Sequence, residues 1–164
     1  MHGGLPAGIM SGEESVELGD KRMTIFPTKI LLATDGSREA DLAATTAADL
    51  AENQNSELHV VYVEPTLPMI GQFADPGPER AEPESRQLLE ERVERIRSAG
   101  GTVAEAHLRL GRPDDQIVWV AEEIGAGLIV MGSRGHGGVR RALMGSVSDS
   151  VVRHAHCPVL VVRE

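Results

Sequence analysis

The residues with the clearest chemical potential are the glycines and hydroxyls of Gly132-Ser133-Arg134-Gly135-His136-Gly137-Gly138 and of Gly145-Ser146-Val147-Ser148. The first run follows the apolar pentad Gly127-Leu128-Ile129-Val130-Met131, so the pattern predicts a strand, a flexible loop and a helix start. Glycines at 132, 135 and 145 let the backbone approach a ligand where a Cβ would collide. The amides of residues 145 to 148 are expected to stand unpaired at a helix N-terminus. Aligned N–H groups and the positive end of the helix dipole make such a corner attractive to phosphate.

Spacing excludes two common phosphate loops. A Walker loop needs a lysine directly before its Ser/Thr, but Gly145 precedes Ser146, and Lys21 and Lys29 are the only lysines. A dinucleotide fingerprint opening at Gly135 has Gly137 in place but meets Arg140 where its third glycine belongs. What remains, Gly132-x2-Gly135-x9-Gly145-Ser146, resembles the ATP-binding signature of the universal stress protein family. The likeness extends in order through Lys29-Ile30-Leu31-Leu32-Ala33-Thr34-Asp35-Gly36-Ser37, Glu57-Leu58-His59-Val60-Val61-Tyr62-Val63, Gly111-Arg112-Pro113 and His156-Cys157-Pro158-Val159-Leu160-Val161-Val162.

The resemblance implies a set of roles. The backbone of Val63 would meet the adenine edge, with Ala33 and Met131 as apolar walls. Thr34 and Asp35 would lie by the ribose, and Asp35 could also hold a divalent ion, Mg or Mn, beside the phosphates. The bland alternative for Asp35 is a turn or cap residue before Gly36-Ser37. Gly132 and Gly135 would admit ribose and phosphates; Gly145, Ser146, Val147 and Ser148 would bind phosphate through amides and two hydroxyls. Ser146 reads equally as an N-cap, Arg134 as reaching phosphate or solvent, and Arg140 and Arg141 as a solvated face. The implied activity is that of an ATP-binding regulatory or stress-response module with slow or no hydrolysis. A weak ATPase or phosphoryl-transfer enzyme is the alternative, disfavoured by the missing lysine and general base. A nucleotide-free stress protein would lack the glycine signature that this chain keeps. The resemblance also implies a homodimer joined through the C-terminal strand.

A chain of 164 residues suits one domain with a substantial core. A net charge of −9 argues against sequence-independent nucleic-acid binding, which draws on clustered Lys/Arg. Short apolar runs predict no membrane span, and the N-terminus lacks a signal-peptide pattern. A single cysteine, Cys157, excludes an internal disulfide and reads as a small buried hydrophobe; a reducing cytoplasm fits. Residues 1–23 are polar and glycine-rich, the composition of a flexible tail with Met23 a candidate natural start, and 24–164 form the single domain.

The positioning elements follow from periodicity. Short apolar runs alternate with helix-period segments, which predicts an α/β fold: an open five-stranded parallel sheet with helices on both faces. The strands fall at Ile30 to Ala33, Leu58 to Val63, Thr102 to Leu110, Gly127 to Met131 and Val159 to Val162. Ser37 is a predicted N-cap for a helix with Ala40, Ala43, Ala44, Ala47 and Ala51 on its inner stripe. Helices also follow around Leu89, Val93 and Ile96, from Pro113 to Ile124, and from Ser146 to His154. Residues 64–83, with five prolines, read as a long loop that is either a flap or a solvated connector. In Thr102 to Leu110 the small and apolar residues alternate with Glu105, His107 and Arg109, as in a half-exposed edge strand. The resemblance implies strand order 3-2-1-4-5, a Rossmann-like, adenine nucleotide alpha hydrolase-like arrangement that brings Asp35 and Gly132 to one crevice. His154, His156 and Cys157 do not match a zinc spacing; His154 suits the negative end of a helix, and His59 and His107 receive no role.

Overall fold

The computed structural model describes residues 28–66, 81–136 and 144–164. The N-terminal tail, residues 67–80 of the proline-rich loop, and Gly137, Gly138, Arg140 and Arg141 lie outside the described residues. Nine elements follow one another: β1 (Lys29–Thr34), α1 (Arg38–Gln54), β2 (Glu57–Pro65), α2 (Pro83–Ser98), β3 (Glu105–Gly111), α3 (Pro113–Ile124), β4 (Leu128–Gly132), α4 (Ser146–His154) and β5 (Val159–Val162). The strands form one parallel sheet in the order β3-β2-β1-β4-β5.

Central β1 is the spine of the core. Ile30, Leu31 and Leu32 are fully buried, and each such side chain contributes about 1.5–3 kcal/mol relative to exposure. Alternation along the strand splits them between two cores. Ile30 and Leu32 join Ala43 and Ala47 of α1 and Leu89, Val93 and Ile96 of α2 on one face. Leu31 and Ala33 join Ile117, Val120 and Ala121 of α3 and Val151 of α4 on the other. An alanine stripe lets α1 lie close to the sheet, and Ser37 Oγ accepts from Ala40 N at 3.3 Å to start that helix. α2 and α3 each begin with a proline at the first turn, where a missing N–H costs nothing.

Two expectations need correction. β2 continues past Val63 through Glu64 and Pro65, because these pair with Leu110 and Gly111 of β3. β3 starts at Glu105 rather than Thr102 and does not alternate as expected: Ala106 is exposed, whereas His107 is buried and Arg109 half-buried. The reason is that this edge strand is covered on both faces. Leu108 and Leu110 face α2, while Arg109 reaches Glu123 at 2.7 Å and lies 5.1 Å from the Trp119 ring of α3.

Candidate functional site

Winding reverses between β1 and β4, so the loops leaving their C-terminal ends separate and open a crevice. A cavity of about 480 Å³ occupies it. Every candidate from the sequence borders this space: Ala33, Thr34 and Asp35 from β1, Val63 from β2, Met131 to Gly135 from β4 and its loop, and Gly145 to Ser148 from α4. Its apolar end is formed by Ala33 and Met131, which are register partners, with Val61, Val63 and Ile117. Val61, Ile117, Pro65 and Pro113 were not named as site residues from the sequence. Their signals were the parity Val61 shares with Val63 on β2 and the places of Pro65 at the end of β2 and of Pro113 and Ile117 in the first turns of α3.

The polar end is the start of α4. Asp149 N donates to Gly145 O at 3.0 Å, so the amides of Ser146, Val147 and Ser148 precede the first helical bond. Gly145 departs from the expectation: its amide donates to Ser133 O at 2.7 Å. Ser148 departs as well, because its buried hydroxyl donates to Ser133 O, 2.7 Å away, and so staples the loop. Three amides and the exposed Ser146 hydroxyl are the donors that remain.

Asp35 fastens the crevice from the other side. Its Oδ1 accepts from Ser37 N at 2.9 Å and its Oδ2 from His136 N at 3.0 Å, so one carboxylate joins the β1 turn to the β4 loop. A Cβ at Gly135 would run into that Oδ2, which gives the glycine a reason independent of any ligand. Gly132 has a similar one. A Cβ there would lie 3.0 Å from Glu39 C and 3.1 Å from Ala40 N, so the glycine admits the first turn of α1.

Sequence reasoning missed Glu39, the group that organises the loop. It is buried, and its Oε2 accepts from the Ser133 hydroxyl at 2.5 Å and from Arg134 N at 2.8 Å. Its Oε1 accepts from Arg134 Nε at 3.0 Å and Nη2 at 2.7 Å. Burial alone would raise this carboxyl, but hydrogen bonds from Ser133 and Arg134 and the guanidinium charge outweigh it and hold the group below the ordinary glutamate value. Arg134 therefore resolves neither to phosphate nor to solvent: its guanidinium is tied to Glu39. The same design recurs at α3, where Asp114 accepts from Ser150 Oγ at 2.8 Å and Arg112 at 2.9 Å. Burial pushes that carboxyl up, and these two partners bring it below its usual value.

Among the described histidines His136, in the loop after β4, borders the crevice and the others lie apart from it. His154 Nδ1 lies 2.8 Å from Ser150 O at the end of α4, and His156 Nε2 lies 3.2 Å from Ala126 O. Cys157 is half-buried against the α3 core, where burial raises its thiol above the ordinary value.

An open parallel sheet with a switch-point crevice and a helix N-terminus facing it defines a Rossmann-like α/β protein. The universal stress protein family model matches residues 27–163, and the chain belongs to that family. It is 35% identical over 140 residues to universal stress protein MJ0531 of Methanocaldococcus jannaschii, covering 83% of this chain and 82% of that one. It is 37% identical over 137 residues to a putative universal stress protein of Staphylococcus haemolyticus, covering 82% and 83%. Among solved structures, a universal stress protein in complex with cAMP is 27% identical with a TM-score of 0.63, covering 83% of this chain and 96% of that one. The Archaeoglobus fulgidus protein in complex with dAMP is 27% identical with a TM-score of 0.58, covering 82% and 97%.

Proposed function

We propose that the crevice binds an adenine nucleotide, ATP with Mg or Mn, and that the protein acts as a nucleotide-responsive stress module with slow or no hydrolysis. The observation that carries this reading is the union, in one cavity of about 480 Å³, of an apolar slot and a helix start with three forward amides. Adenine suits the slot between Ala33, Val63 and Met131, where the exposed end of β2 offers backbone to the base edge. Phosphates suit the amides of Ser146, Val147 and Ser148. Relatives in complex with cAMP and with dAMP support an adenine ligand.

Charge supports the divalent ion. Among the described lining residues Arg134 is the one guanidinium, and Glu39 already neutralises it. Amides alone carry only partial charge, so a triphosphate needs a counter-cation. Asp35 fits that ion's outer shell, since each of its oxygens accepts one amide and keeps a lone pair for a metal-bound water. Bound there, the ion would offset phosphate charge. The same accounting disfavours fast hydrolysis: among the described residues no lysine lines the cavity, and Asp35 is held by two amides. β5 ends the sheet with Leu160 exposed, an edge that suits pairing with a second copy.

The test is to denature protein purified without added nucleotide and identify what it releases by mass spectrometry, then follow melting of stripped protein. An adenine nucleotide is expected. Mg-ATP at about a thousandfold its Kd should stabilise by about 4 kcal/mol, and chelation should reduce that gain more for ATP than for AMP. No shift with any adenine nucleotide, or release of a flavin, would overturn the reading.

A further inference from the structure

His59 of β2 and His107 of β3 face the α3 side of the sheet and are both buried. Their rings are within 15° of coplanar, with centroids 5.4 Å apart and His59 Nδ1 3.1 Å from His107 Nε2. The centroid distance equals the N···N distance plus one ring radius on each side. The two nitrogens thus point at one another head-on, and the rings do not overlap face to face. Glu105 adds a carboxylate: Oε2 lies 3.9 Å from His59 Nδ1 and Oε1 lies 3.9 Å from His107 Nδ1. One donor atom from each of the three residues falls within 4.8 Å of the others.

We propose that His59, His107 and Glu105 form a binding site for one borderline divalent ion, zinc in the first instance, distinct from the nucleotide crevice. Two nitrogens bound to tetrahedral zinc at about 2.0–2.1 Å sit about 3.3 Å apart, so the spacing of the pair is already close to what the ion needs, while each head-on ring must swing by about 35° for its lone pair to converge on the metal. One of the two rings is already placed to offer a lone pair. Glu57 Oε2 lies 3.4 Å from His59 Nε2, where it accepts that N–H and leaves the Nδ1 lone pair facing the site. On metal binding the His107 proton moves from Nε2 to Nδ1, toward Glu105 Oε1.

Access and donor set agree with this ion. Glu105 is largely exposed while both imidazoles are buried, and a cavity of about 1040 Å³ lined by Glu105, His107, Glu94 and Glu123 opens beside β3. Two imidazoles and a carboxylate suit zinc, with one coordination position left toward water. Bridging β2 to β3 would pin the edge strand. His107 is also the register partner of Val61, which lines the crevice, but the site needs no nucleotide to form.

The test is calorimetric titration of chelator-treated full-length protein with zinc in the absence of nucleotide, with cobalt absorption as a second reading. One ion per chain is expected, with a rise in melting temperature. Glu105→Gln, an exposed change that leaves the fold intact, should weaken binding by about ten- to a hundredfold, and His107→Gln should abolish it. His154→Gln should leave it unchanged. Absence of binding at about 0.1 mM zinc, or equal affinity in the Glu105→Gln protein, overturns the proposal. If His107→Gln fails to fold, the Glu105→Gln titration decides alone.

Discussion

Replacing Glu39 should damage the β4 loop far more than its surface-helix context suggests. Glu39→Ala removes the acceptor for four hydrogen bonds, from Ser133 Oγ, Arg134 N, Arg134 Nε and Arg134 Nη2. Ser133 is fully buried, so its hydroxyl loses its partner with no water to replace it, a cost of about 1–3 kcal/mol. Arg134 keeps 26% side-chain exposure and can turn to solvent, so the total should sit near the lower end for a broken buried pair, about 3 kcal/mol. For a chain of this size that lowers Tm by about 6–12 °C. Urea denaturation and calorimetry at pH 7 on wild type, Glu39→Gln and Glu39→Ala would measure it, with the glutamine variant intermediate because one of its two head atoms still accepts.

A pH series supplies a second, independent reading. The Glu39 carboxyl is held below its ordinary value of 4.5 in the folded protein. Its contribution is therefore complete above that value and is lost as pH falls through the lower folded value. The stability gap between wild type and Glu39→Gln should be flat from pH 7 to about 5 and then narrow on further acidification. A loss under about 1 kcal/mol in Glu39→Ala, or a gap that widens in acid, would refute the view that this carboxylate holds the loop.

Gly135→Ala should force the Asp35 carboxylate off His136 N; we expect about 1–2 kcal/mol of destabilisation by urea titration and at least tenfold weaker nucleotide binding by calorimetry. An alanine variant with wild-type affinity would show that the Asp35 clasp does not shape the site. Val161→Lys, on the sheet-edge strand β5, should convert the proposed homodimer to monomer in light scattering at micromolar concentration; a wild-type monomer would remove the premise.

The fold was largely readable because its cues are local. Apolar runs mark the strands, Ser37 caps α1 within three residues, and Pro113 opens α3, each signal lying beside the structure it specifies. Strand order was not local and came from the family likeness. The crevice residues were readable for the same reason as the strands: they sit at strand ends and a helix start. Their individual jobs were not. Gly132 looks like an opening for a ligand until β4 is placed beside α1, and Ser148 looks like a phosphate donor until the Ser133 carbonyl is placed above it. Glu39 and Arg134 are 95 residues apart, so no window of sequence could pair them. His59 and His107 are an intermediate case. Once strands 2 and 3 are neighbours, their shared parity puts both on one face, and the signal was lost only because the β3 alternation was assigned to the opposite face.

In the crevice Arg134 is paired with Glu39 and Asp35 accepts two amides, so residues 133–136 are set by the protein's own contacts before any ligand arrives. A preset segment does not need ordering on binding, which favours affinity. It also limits what the ligand can change, because a ligand shifts an equilibrium only by its differential interaction with two states. Among the described groups, the exposed Ser146 and the His136 amide held by Asp35 are the contacts most readily exchanged for phosphate or metal-bound water. Any signal that nucleotide sends through this protein is therefore expected to start at the Asp35–His136 clasp.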